Sequence, residues 1–203
     1  MMEKQIRLTQ SDEGQLRTDT VDEKLFFQGY ASIFNRTTDL GYFVESIHPE
    51  AFNSALARQD DVRALFNHDT NLILGRTKSG TLRLSVDEIG LVSKIEIPDT
   101  TLGRDLKVYI ERGDISQMSF GFVIEKEEKR GMVDEKPWYE IQQVRLFDVS
   151  PVTFPAYEQT SIEVTRSLES RTADIVEREN RFRSVYKLRA RKINLLKYSI
   201  DFN

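Results

Sequence analysis

Gln117-Met118-Ser119-Phe120-Gly121-Phe122-Val123-Ile124 alternates along its length: Met118, Phe120, Phe122 and Ile124 fall on one side of an extended chain, Ser119, Gly121 and Val123 on the other. Large apolar side chains at a period of two predict a strand with one face in a core. Ser119 faces away from them, with only a glycine and a valine as same-face neighbours.

Working outward, the residues before this strand predict a helix. Asp99 or Thr100 can cap it, Leu102, Leu106, Tyr109 and Ile110 form its apolar stripe, and Gly113 ends it. After the strand, the mixed charges of 125–137 predict a solvated hairpin tip turning near Gly131. The chain then returns as a strand from Trp138 to Phe154. Val144, Leu146, Asp148 and Ser150 share one face of it, so a carboxylate interrupts a row that should be buried.

Nearer the N-terminus, 25–34 reads as a strand, 35–39 as a turn and 46–59 as a helix, with Pro49 in its first turn and Phe52, Ala55 and Leu56 at helical spacing. Alternation resumes with Val62, Ala64, Phe66 and His68 on one face, which puts His68 at a strand end. Further strands are expected at 72–76, 81–86 and 91–97. Many short strands and few helices predict an α+β fold, mainly an antiparallel β-barrel or closed sheet flanked by helices.

Composition narrows the chemistry. The 203 residues suffice for one domain and an appendage, and 39% hydrophobic against 31% charged residues is a globular balance. With no cysteine and only His48 and His68, disulfides, thiolate metal sites, cysteine nucleophiles and three-histidine metal sites are all excluded. No apolar run approaches a membrane span and no export signal opens the chain, so a soluble, unexported protein is expected, with no membrane partner.

The net charge of −4 is uneven: residues 166–203 hold ten Lys or Arg against five Asp or Glu. Leu168, Ile175 and Phe182 recur every seven residues there until Arg189 breaks the pattern. The chain therefore reads as a domain over 1–160 and a basic, helical tail over 161–203, a docking or self-cleaved segment. Charge alone leaves nucleic acid, an acidic partner or the body of the protein open as what the tail meets.

Three polar residues stand at or near strands in apolar surroundings: His68, Ser119 and Asp148. A serine hydroxyl becomes a nucleophile when a neutral imidazole takes its proton, and the imidazole needs an acid to orient it. Each residue also has a plain structural reading. His68 can be a surface or satisfied core residue, Ser119 lacks the G-x-S-x-G elbow, and Asp148 can pair with Arg145 or Arg104. His48, just before Pro49, reads as an ordinary polar residue at a helix start, and no glycine belongs to a phosphate-binding loop.

Five blocks in order resemble the prohead (capsid-maturation) proteases of tailed bacteriophages, serine proteases related in fold to the herpesvirus assemblins. They are Gly29-Tyr30-Ala31-Ser32-Ile33-Phe34-Asn35, Pro49-Glu50-Ala51-Phe52, Phe66-Asn67-His68-Asp69 with Leu74-Gly75-Arg76-Thr77, Gly113 to Phe122, and Leu146 to Ala156. The resemblance implies a serine endopeptidase in the host cytoplasm, inside the immature capsid. It would cleave scaffold or the scaffolding segment of the major capsid protein, and also itself. Ser119 would be the nucleophile, His68 the general base and Asp148 its orienting acid, with no cofactor, no metal and no need of nucleic acid. A homodimer is consistent with the assemblin relationship. The chain departs from the family's usual pattern at Asp148, where Glu is common, and at Tyr157, where Asn is common. The rival expectations are a catalytically silent capsid scaffold or assembly chaperone on the same fold, and another acyl hydrolase.

Overall fold

The computed structural model describes residues 5–8, 15–21 and 24–153. The expected tail and the boundary near residue 160 lie outside the described residues. The opening stretch becomes the first half of a long hairpin, β10 (Gln117–Val133) and β11 (Lys136–Val152). Its tip is Asp134-Glu135, both at positive φ, 46° and 63°, which matches the two-residue primed turns that follow strand twist. Gly131, expected at the tip, lies instead within β10 at a register shift, with φ 153°. Arg130 is the residue the register skips, and beside it Gly131, opposite Trp138, takes a backbone conformation that glycine allows.

β10 also pairs with β1 (Gln5–Leu8), and β11 with β5 (Val44–Ile47), which in turn meets β4 (Thr38–Asp39). A second hairpin, β6 (Arg63–Phe66) and β7 (Asp69–Arg76), joins the same sheet through β11. The β11–β5 and β11–β6 pairings are parallel and the others antiparallel, so this sheet is mixed. The second sheet is antiparallel, in the order β2 (Arg17–Val21), β3 (Lys24–Ile33), β9 (Gly90–Glu96), β8 (Leu82–Val86).

Among the described residues neither sheet closes, which corrects the expected barrel. Closure requires the two edge strands to pair. Here β1, β4 and β7 each have a single pairing neighbour, and β3 belongs to the second sheet. The two sheets instead share one core: Phe27, Ala31, Leu91 and Ile95 from the second meet Met118, Phe120, Phe122 and Val144 from the first. Aromatic rings run through it, with centroids 6.1 Å apart for Phe34–Phe52, 5.5 Å for Phe52–Phe120 and 4.7 Å for Phe120–Phe122.

Two helices pack on this frame. α2 (Thr101–Arg112) starts and stops as expected: the Thr100 side chain accepts a hydrogen bond from the Gly103 amide, and Gly113 ends the helix at φ 81°. Its buried face is Gly103, Leu106 and Ile110, whereas Tyr109 is exposed. The helix expected over 46–59 is only α1 (Asn53–Ala57). Ser46 belongs to β5, and Pro49 disfavours a helical conformation at His48, so the chain turns over 49–52 before a helix can start.

Candidate active site

Ser119 lies on β10 directly opposite Ser150 of β11, and Gly121 opposite Asp148. All four side-chain positions therefore share a face, and the glycine leaves room beside the carboxylate. The next pair is Phe122 with Leu146, so Phe147 is passed over and points out, 40% exposed. A bulge at this point re-aims the neighbouring Asp148 side chain without breaking the long hairpin.

His68 arrives from the other hairpin, by a route that differs from expectation. It does not end a strand: Asn67 and His68, at φ 51° and 57°, are the two turn residues between the paired Phe66 and Asp69. The turn is tied to the end of β11 on three sides. The Asn67 amide donates to the Pro151 carbonyl at 3.0 Å, its side-chain Nδ2 donates to Thr153 Oγ1 at 3.0 Å, and the Thr153 amide donates to Asn67 Oδ1 at 2.9 Å. Asparagine tolerates the left-handed conformation and holds the adjacent imidazole against β11.

The three expected residues come together. His68 Nε2 is 2.8 Å from Ser119 Oγ, and His68 Nδ1 is hydrogen-bonded to Asp148 Oδ1. The Ser150 hydroxyl donates to the same Asp148 oxygen at 3.1 Å. Asp148 and Ser119 are buried, and the His68 side chain is 12% exposed. A proton on Nδ1, held by the carboxylate, leaves the Nε2 lone pair directed at the serine, the tautomer needed to activate a hydroxyl. His48 lies apart from this chain, its Nδ1 accepting the Glu50 amide at 3.2 Å.

Three further residues enter the site without having been singled out in the sequence. Asn67 clamps the turn. Arg7 of β1 places its carbonyl on Ser119, whose Oγ donates to it at 2.8 Å. Its guanidinium reaches Glu45. The signal for Glu45 was present: like Asp148, it is a carboxylate inside an apolar run, Phe43-Val44-Glu45-Ser46-Ile47. Among the described residues no group of three or more His, Asp or Glu could hold a metal ion.

The geometry can be set beside known proteins. The model of the Caudovirus prohead serine protease family matches residues 13–174. The prohead protease of Enterobacteria phage HK97 is 34% identical over 161 residues, 78% of this chain and 68% of that one. The solved structure of the bacteriophage T4 capsid assembly protease, gp21, aligns with a TM-score of 0.48 at 9% identity, covering 74% of this chain and 97% of that one. Matched over most of its length by the family and at this identity by the phage HK97 enzyme, the chain belongs to the Caudovirus prohead serine proteases, serine peptidases of phage capsid maturation.

Proposed function

We propose that Ser119 is the nucleophile of this prohead protease, His68 its general base and Asp148 the acid that orients His68. The observation that carries this reading is the unbroken hydrogen-bonded chain from Asp148 through His68 to Ser119. In acylation, Ser119 Oγ attacks a peptide carbonyl while its proton passes to His68 Nε2. The imidazolium, stabilised by Asp148, then protonates the leaving amine, and water releases the acyl group by the reverse transfers.

Family membership puts this work within the procapsid, in the infected cell, among capsid and scaffold proteins. Its substrates there are scaffold or the scaffolding segment of the major capsid protein, and the protease itself. Enclosure in a shell raises the effective concentration of substrate, so a modest turnover suffices.

The test is the intact mass of wild type and of Ser119→Ala over time, with and without co-expressed capsid protein. A fluorophosphonate probe reports the nucleophile in parallel. Wild type is expected to take the probe and shorten itself or the capsid protein, and Ser119→Ala to do neither, with cleavage slowed at least about 10⁴-fold. A folded Ser119→Ala chain that processes at the wild-type rate would remove Ser119 from this role.

A further inference from the structure

Arg7 makes two contacts that belong together. Its carbonyl accepts the Ser119 hydroxyl at 2.8 Å. Its guanidinium meets Glu45 side-on, Nε to Oε1 at 2.5 Å and Nη2 to Oε2 at 3.0 Å, and its Cζ stands 5.5 Å from the centroid of the Phe122 ring. Both ends of the ion pair are buried, Arg7 at 8% and Glu45 at 2% exposure. Two further guanidinium donors are engaged, one on Nη1 with the Ile6 carbonyl at 2.9 Å and one on Nη2 with Gln5 Oε1 at 2.7 Å.

β1 is an extended segment added antiparallel to the edge of β10, with Leu8 opposite Ser119. This is how a peptide augments a sheet. In a serine protease, the residue whose carbonyl lies on the nucleophile is the one on the amino side of the bond to be cut. The side chain of that residue enters a pocket with a buried carboxylate at one end and an aromatic ring along one wall. Such a lining matches a planar cation: two parallel hydrogen bonds to Glu45 and a face for the guanidinium. A neutral residue there would bury Glu45 without this cation, and an acidic one would set two carboxylates together.

We propose that Glu45 and Phe122 form the pocket that selects arginine on the amino side of the cleaved bond, with Arg7 occupying it in this structure and its carbonyl oxygen hydrogen-bonded to Ser119. The inference rests on Ser119 being the nucleophile. At this bond, Ser119 Oγ would join the Arg7 carbonyl carbon as its proton moves to His68 Nε2. The bond to the Leu8 nitrogen would break as that nitrogen takes the proton, and water would then free the Arg7 carboxylate and restore the hydroxyl.

The test uses the full chain and a peptide mixture varied at the residue before the cut, with products read by mass spectrometry and the fluorophosphonate probe counting competent Ser119. Cutting after arginine is expected to exceed cutting after glutamine or glutamate by about 30-fold or more, and Glu45→Gln to lose that preference while still taking the probe. Within the chain, Arg7→Gln should slow the loss of residues 1–7 by a similar factor and Arg7→Lys by less. A chain that labels and cuts with no preference for arginine overturns the pocket and leaves the nucleophile standing, as does a Glu45→Gln chain that keeps the preference. Should Glu45→Gln fail to fold, the wild-type profile alone decides. A wild type that neither labels nor cuts overturns both readings.

Discussion

Ser119 has one hydroxyl proton and two acceptors at 2.8 Å, His68 Nε2 and the Arg7 carbonyl. Given to Arg7, the proton leaves the oxygen unactivated; given to Nε2, it is poised for transfer. The carboxylate of Asp148 biases this choice by holding the proton of Nδ1. Asp148→Asn is therefore expected to keep the fold and lose about 10⁴-fold in turnover, because an amide stabilises neither that tautomer nor the imidazolium. Peptide cleavage rates beside a thermal melt check it; a fall in rate only in proportion to lost folded protein would mean that Asp148 is structural. The residue types at this site were readable in the sequence. The left-handed turn at His68 was not, since Val62, Ala64, Phe66 and His68 alternate as a strand would. Nothing local signalled that Phe66 and Asp69 pair.

At the scale of elements, local rules succeeded where the signal was a cap or a long alternation. α2 has the cap at Thr100 and the stop at Gly113 that its sequence announces. Gly103 within it breaks a general rule for a visible reason. Alanine ordinarily favours a helix by about 1 kcal/mol over glycine. Here a Cβ at Gly103 would lie 2.1 Å from the Pro98 carbonyl oxygen, so backbone must shift. Gly103→Ala is expected to cost about 1 to 3 kcal/mol, lowering Tm by several degrees. A Tm equal to or above wild type would show that the close approach does not constrain the helix. The first helix is shorter than its pattern: Phe52, Ala55 and Leu56 do recur at helical spacing, but β5 takes Val44–Ile47, before Pro49.

Over the whole molecule, the long hairpin has to coil. Arg7 pairs with Phe120, which pairs with Val149, while Glu45 pairs with Tyr139, ten residues away along β11. On a flat sheet that separation is about 33 Å. The side chains nonetheless meet at 2.5 Å, so β10 and β11 bend strongly, and their register shifts at Gly121/Phe122, Ile124/Lys126, Lys126/Glu127 and Lys129/Gly131 supply the places to do so. Global stability also carries an electrostatic contribution. The Arg76 guanidinium hydrogen-bonded to Asp61 holds its carboxyl well below the usual range against the opposing effect of burial, helped by the charges of Arg63, Arg76 and Lys78. A depressed carboxyl stabilises above its unfolded pKa of about 4 and loses that contribution as pH falls. Asp61→Asn should therefore be less stable than wild type at about pH 7, with the gap narrowing below about pH 4 and under high salt. Denaturant midpoints at several pH values measure this; a gap that widens in acid would assign the stabilisation to something other than the Asp61 charge.

The sequence by itself determined the strand-rich class, the capped second helix, the candidate residues His68, Ser119 and Asp148, and a family resemblance that the comparisons then showed. Those signals survive in a string because alternation, capping and motif spacing involve near neighbours. Only the tertiary structure decided that the strands form two open sheets, that His68 enters from a turn clamped by Asn67, and that β1 lays Arg7 across Ser119 with its guanidinium on Glu45. Each of these depends on register shifts, positive φ angles and contacts between residues far apart in the chain. Their free energy is set by the packed whole, and no window of local sequence spells it out.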